Sequence, residues 1–118
     1  MQVPQIISGM QEKNRQLSMK VDELEELAEK KAQAERAYKV AYARKVMEMR
    51  SEGIAVTIVQ KMADGDPAIA ELKYQYDVSD AVFNACRERI KTLNVAIDTY
   101  RSLLSWNKAE LEKAGIGH

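Results

Sequence analysis

The length, composition and charge of this chain exclude several kinds of protein. Its 118 residues suffice for one domain, and 18 basic and 18 acidic residues cancel, so no overall field draws it to nucleic acid or to an anionic membrane. The lone Cys86 cannot form an internal disulfide, which favours a reducing compartment, and we predict a cytoplasmic location.

The first predicted element is a long helix, helix A, over about residues 10–51. Ser8 and Gln11 have the spacing of a capping box at a helix start, and Pro4 offers an earlier start. Inside the predicted range there is no proline or glycine, and strong helix formers dominate. Gly53 supplies the left-handed residue that commonly ends a helix.

The connecting tip, about residues 53–66, is predicted to hold a short helix. Thr57 and Gln60 repeat the capping-box spacing, which predicts a helix over about residues 58–63. Residues 54–59 are β-branched enough to form a strand, but the chain offers no second strand to pair with it. We therefore favour the helix.

A second long helix, helix B, is predicted over about residues 67–114. Asp66 can cap it, Pro67 fits its first position because the missing amide hydrogen costs nothing there, and Gly115 can end it.

Helix B carries a regular apolar pattern in which the spacing alternates between three and four residues. The positions are Ile69, Leu72, Tyr76, Ser79, Phe83, Cys86, Ile90, Leu93, Ile97, Tyr100, Leu104, Asn107 and Leu111. Only Ser79 and Asn107 among them are polar. Such a 3.5-residue repeat is typical of the seam of a left-handed coiled coil.

Helix A has a matching but less regular stripe. Its apolar members are Met10, Leu17, Val21, Leu24, Ala28, Tyr38, Tyr42 and Met49. The same heptad count places Lys31, Glu35 and Lys45 on the seam, which predicts a polar, loosely packed layer.

Folding helix A back onto helix B brings the two stripes together. The predicted partners include Tyr42 with Tyr76 and Leu17 with Tyr100. The predicted fold is therefore all-α: a long antiparallel helical hairpin, or coiled coil, with a short helix at the connecting tip, in a single domain over residues 1–118.

Several apolar residues lie off the seam and are candidate contacts for a partner or for a second copy. They are Ile54, Val56, Ile58, Val59 and Met62 at the tip, and Leu103 and Trp106 near the other end. Val78, Ala81, Val82 and Ala85 form a further apolar face of helix B. Two long helices bury less surface than a globule of equal length, so we expect a homo-oligomer, with a dimer favoured.

The residues that catalysis commonly needs are scarce. His118 is the only histidine and ends the chain, and Cys86 falls on the apolar seam as a small hydrophobe. Asp64 and Asp66 lack the other ligands of a calcium loop, and the carboxylates of residues 22–29 form a solvated face. We predict no enzyme activity, no cofactor, no metal ion, no small-molecule substrate and no membrane association.

Charge is unevenly distributed along helix A. Residues 30–50 hold seven bases and two acids, and the bases are Lys30, Lys31, Arg36, Lys39, Arg44, Lys45 and Arg50. One interpretation is that these charges match opposite charges on neighbouring helices or on a second subunit. The other is a nucleic-acid contact in which Tyr38 and Tyr42 stack on bases. The first is favoured because both tyrosines fall on the seam.

The stretch from Ala41 to Tyr76 resembles small helical accessory proteins of phages and prophages of Gram-positive bacteria. The features that carry the resemblance are a long helix ending in RSEG, the segment IAVTIVQKMADGD and a second long helix. The resemblance implies a small phage accessory protein of the host cytoplasm, similar to those carried near genes for DNA recombination or replication; that group has no established activity, so the resemblance implies no catalytic residue.

The sequence thus predicts a non-catalytic interaction protein that self-associates and binds a protein partner, whose identity it does not reveal. The alternative is a nucleic-acid-binding accessory protein that uses residues 30–50. A more distant alternative is an inhibitor of a host enzyme.

Overall fold

The computed structural model describes residues 2–115, which form three helices and no strand. Helix α1 spans Val3–Ser51, α2 spans Val56–Asp64 and α3 spans Pro67–Lys113. Segments of α1 lie antiparallel to segments of α3, and α2 occupies the connection. The predicted all-α helical hairpin with a short helix at its tip is confirmed.

Helix α1 begins earlier than the predicted residue 10. Pro4 lies in its first turn, where a missing amide hydrogen leaves no helical bond unmade. The Gln2 amide donates to Gln5 Oε1 at 3.1 Å, and Ile6 is completely buried. The two helical turns before residue 10 thus contain the buried side chain of Ile6. The predicted capping box at Ser8 does not start the helix.

The end of α1 matches the glycine signal in the sequence. Gly53 has φ 84°, its amide donates to the Arg50 carbonyl, and the Ile54 amide donates to the Met49 carbonyl, both at 3.1 Å. This pair of bonds is the Schellman motif, which satisfies carbonyl groups that the helix leaves without partners.

The two later helices begin differently. Helix α2 starts at Val56 after Ala55, which makes no side-chain cap, so the predicted capping box of Thr57 and Gln60 is not the helix start. At α3 the expected cap is present, because Asp66 Oδ2 accepts a hydrogen bond from the Ile69 amide at 3.2 Å.

The described residues divide into two units by their contacts. We call residues 2–24 and 86–115 the end unit and residues 25–85 the tip unit. Both contain antiparallel segments of α1 and α3, and each is described separately below.

The end unit has a buried apolar seam along α3. Its buried residues are Ile6, Cys86, Leu93 and Ile97. Gly9 lies so close to the Tyr100 ring that a Cβ atom at residue 9 would be 2.5 Å from it. The predicted pairing of Leu17 with Tyr100 is therefore wrong by about two helical turns.

The tip unit buries side chains only beside the turn, where Met49, Val59, Ala63 and Ile69 are buried. No residue of the segments 25–48 and 70–85 is buried. The ring of Tyr76 stacks on Tyr38, with centroids 6.3 Å apart, rather than on the predicted Tyr42. In this unit the pairing therefore differs from the prediction by about one turn.

The seam of α1 follows the predicted heptad positions only in part. Lys31, Glu35 and Lys45 are half-buried on it, as expected. Val21 and Ala28 are exposed, which contradicts their predicted place on the seam. Lys20 and Leu27, one residue earlier in each case, are half-buried instead.

Candidate functional site: the surfaces of the tip unit

A shallow groove lies on one side of the tip unit, between α1 and α3 in one part and along α1 in the other. Two adjoining depressions of about 390 and 500 Å³ form it, and they share Gln33 and Ala37. We call the surface that they outline the groove face. Its lining residues are Lys30, Gln33, Ala34, Arg36, Ala37, Val40, Ala41 and Arg44 of α1, with Tyr74, Gln75, Val78 and Ser79 of α3.

The large exposed apolar residues of the tip unit gather on this face. Outside α2 there are five: Val40, Met47, Tyr74, Val78 and Val82. Three of them line the groove directly. Met47 follows Val40 by one heptad and Val82 follows Val78 by about one turn, so these two extend the same face. Met47 is 72% exposed and Tyr74 64%.

The ion pairs of the tip unit lie outside the lining of the groove face. Two ion pairs link α1 to α3: Lys31 Nζ to Asp80 Oδ1 at 2.9 Å, and Lys45 Nζ to Asp66 Oδ1 at 3.7 Å. Two more lie within a helix, Lys39 with Glu35 at 2.6 Å and Lys73 with Asp77 at 3.0 Å. None of these four pairs includes a residue that lines the groove face.

Hydrogen bonds within three of these pairs shift the pKa of four side chains in the direction that favours the charged form. The bond to Asp80 raises the pKa of Lys31, and the bond to Asp77 raises the pKa of Lys73. The bond between Lys39 and Glu35 raises the pKa of the amine and lowers that of the carboxyl group. Lys73 Nζ also lies 5.6 Å from the ring centroids of both Tyr38 and Tyr76. The charges of these four pairs are therefore matched within the chain.

The seven bases predicted to contact nucleic acid fall into two groups. Lys31, Lys39 and Lys45 are held in the ion pairs just described. The other four are exposed and make no ion pair within residues 2–115: Lys30, Arg36, Arg44 and Arg50. Lys30 and Arg44 are two heptads apart and share one row of α1, and Arg36 and Arg50 share another.

The tyrosines among these bases belong to the seam. Tyr38 and Tyr42 are half-buried, with ring centroids 5.9 Å apart, and burial raises the pKa of Tyr42. They pack inside the hairpin and do not form an exposed stacking platform.

The predicted partner contacts also differ in accessibility. Val59 is 2% exposed and belongs to the core of the tip, while Ile54 and Leu103 are half-buried. The accessible members are Val56, Ile58, Met62 and Trp106. Ile58 and Met62 are one turn apart and therefore lie on the same side of α2.

Few other groups suggest chemistry. Cys86 is buried and its thiol donates to the Lys20 carbonyl at 3.4 Å. Residues 2–115 contain no cluster of three or more side chains able to hold a metal ion. Within the same range, no helix has the length and apolar character required to cross a membrane. His118 lies outside the described residues.

Sequence reasoning identified only half of the groove face. The apolar row of α3 around Val78 was visible in the heptad pattern, but the α1 side was missed. The signal there is the row of Gln33, Val40 and Met47, which points away from the seam. Comparison of the chain with protein-family models, with curated proteins and with solved structures finds no match.

Proposed function

We propose that this protein is a non-catalytic interaction protein that self-associates as a dimer and presents its remaining surface to a protein partner. The observation that carries the proposal is its surface area. The chain exposes 8575 Å², whereas a folded monomer of 13.4 kDa exposes about 6,500 Å².

The difference of about 2,000 Å² per chain is large compared with typical interfaces. A standard complex buries about 800 Å² on each partner, and obligate dimers bury about 1,000–2,500 Å² on each. The surplus therefore matches what two copies of this chain remove from water when they form a permanent dimer.

The accessible apolar residues of α2 are the candidate contacts for the protein partner. Ile58 is 50% exposed and Met62 45%, and neither forms part of the groove face. Exposed apolar patches of this kind commonly mark interaction sites. The resemblance of residues 41–76 to phage accessory proteins is compatible with such a role.

Molar mass in solution tests the self-association. Sedimentation equilibrium across roughly 1–100 µM should give the mass of two 13.4 kDa chains, with dissociation only at the lowest concentrations. A monomer mass throughout that range would overturn the proposal.

Nucleic-acid binding is the second candidate function, and the four unpaired bases of α1 favour it. Four phosphate contacts predict that the logarithm of the binding constant for duplex DNA falls with the logarithm of salt concentration with a slope of about −3 to −4. Arg44→Ala should reduce that slope by about one, whereas Lys39→Ala, which removes an ion-paired base, should not. Absence of binding at low salt rules this function out.

A further inference from the structure

We infer that the groove face of the tip unit is covered by the groove face of a second copy, with the two tip units side by side and parallel about a two-fold axis that runs along the helices. This inference rests on the proposed self-association and specifies the surface and the orientation that produce it.

The groove face lies along the part of the tip unit that has no core of its own. Segments 25–48 and 70–85 contain no buried residue, and their seam consists of half-buried tyrosines, Phe83 and polar groups. The same segments carry five large exposed apolar side chains on one side. A second apolar surface laid on that side would complete a four-helix core.

The unpaired charges that border the groove face are ones that a second copy would match. The four ion pairs of the tip unit all avoid the residues that line the groove. Lys30 and Arg44 border the groove face, are exposed and make no ion pair within the described residues. Glu71, one heptad before Val78 and thus in the same row of α3, is exposed and accepts a bond only from Gln75 at 3.2 Å.

The parallel two-fold orientation follows from matching these groups. A two-fold axis along the helices keeps each residue of one copy at the same height as the identical residue of the other copy. Helix α1 of one copy therefore faces α3 of the other, and residues that face each other across the dimer are close to those that face each other within one chain. The pairs within one chain include Tyr38 with Tyr76, Lys31 with Asp80, and Lys45 with Asp66.

Three complementary contacts then arise within about one turn of these pairs. Ala37 faces Val78 of the partner subunit, and Val40 faces Tyr74 of the partner subunit, so small residues oppose large ones. Arg44 faces Glu71 of the partner subunit, so opposite charges meet at the rim. Because the interface is isologous, each contact occurs twice.

The experiment compares dimer dissociation constants of the full chain by sedimentation equilibrium. Val78→Glu places a charge on the groove face and should raise the dissociation constant at least about 100-fold. Asn84→Glu places the same charge on the same helix, but in the heptad row of Asp77, away from the groove, and should leave the constant within about 3-fold. Helix content by circular dichroism should match wild type in both variants, because both positions are exposed.

Charge reversal tests the orientation. Arg44→Glu and Glu71→Arg should each weaken the dimer, since like charges then oppose each other twice, and the double variant should regain most of the wild-type affinity. A double variant as weak as the single ones would overturn the parallel orientation.

The outcomes separate this inference from the proposed function. A wild-type dimer whose dissociation constant is unchanged by Val78→Glu would overturn the groove interface while leaving self-association intact. A monomeric wild type would overturn both.

Discussion

The end unit and the tip unit use the same pairing of α1 with α3 but stabilise it differently. In the end unit, apolar residues such as Ile6 and Leu93 are removed from water along the seam, and Leu93 is only 1% exposed. In the tip unit, burial is confined to the neighbourhood of the turn, and the rest of the seam relies on stacked tyrosines and ion pairs. The two units of one helical hairpin thus differ in how much of the seam they bury.

The magnitudes show why this difference matters. Burying one leucine or isoleucine contributes about 1.5–3 kcal/mol, whereas an exposed ion pair contributes about 0–1 kcal/mol and an aromatic pair about 0.5–1.5 kcal/mol. Per turn of helix, the middle of the tip unit therefore gains less from its own contacts.

The variant with the largest expected effect on stability disrupts the core of the end unit. Leu93→Ala should lower the free energy of unfolding by about 2–5 kcal/mol, because it removes methyl groups from a buried site and leaves a cavity. Urea unfolding measures this, and the loss should not depend on protein concentration. The matched control is Val95→Ala, at a position that is 65% exposed on the same helix, with an expected change within about 0.5 kcal/mol. Equal midpoints for the two variants would contradict a buried seam in this unit.

A smaller effect concerns the close approach that fixes the pairing in the end unit. Gly9→Ala should destabilise the protein by roughly 1 kcal/mol, because the overpacking penalty against Tyr100 exceeds the gain from replacing a helical glycine. Thermal unfolding of Gly9→Ala and of Ser8→Ala, an exposed neighbour, provides the comparison.

The destabilisation caused by Gly9→Ala should be much smaller when Tyr100 is replaced by leucine, since the ring atoms that obstruct the new methyl group are then absent. If the cost of Gly9→Ala is the same with and without the tyrosine ring, the ring does not limit the approach of the helices.

The smallest effect is electrostatic and lies on the surface of the end unit. Hydrogen bonds from Arg15, and next from Gln16, hold the pKa of Glu12 at about 2, below the 4.5 of an unperturbed glutamate. Because the folded-state pKa is depressed, the contribution of Glu12 to stability is present above pH 4.5 and is lost as the pH falls through about 2.

A carbon-detected NMR titration should therefore place the Glu12 midpoint near 2 in the wild type and closer to 4.5 in Arg15→Ala. The Glu12→Gln variant should approach wild-type stability as the pH is lowered through the same range. An unchanged midpoint in Arg15→Ala would assign the shift to another group.

The sequence predicted α3 well because the residues that form its seam are those that hydrophobicity reveals. Every seam position from Ile69 to Asn107 is buried or half-buried, and only Leu111 is exposed. The cap at Asp66 and the left-handed glycines at residues 53 and 115 were also readable, because each depends on local backbone chemistry.

The prediction was poorer for α1 because polar side chains occupy part of its seam. Lys13, Gln16 and Lys20 are half-buried there, and long polar side chains can cover apolar surface while their ends reach water. A prediction based on apolar residues alone therefore placed Val21 on the seam, although this residue is exposed. The pairing in the end unit brings Gly9 against the ring of Tyr100, and a pattern of hydrophobic residues contains no signal for such a contact.

The groove face was half visible for a related reason. Val78 and Val82 stood out on α3, but on α1 the corresponding row mixes alanine, valine and charged residues. Only the positions of both helices show that Val78 and the α1 row border adjoining depressions.

The carboxylate of Asp66 joins two tasks that are usually separate. One oxygen accepts the Ile69 amide at the start of α3, and the other lies 3.7 Å from Lys45 Nζ on α1. The start of α3 is therefore held beside Lys45 of α1. Asparagine at this position would retain the cap and lose the tether, so an acidic side chain is the one that lets a single residue govern both where the chain turns and where it returns.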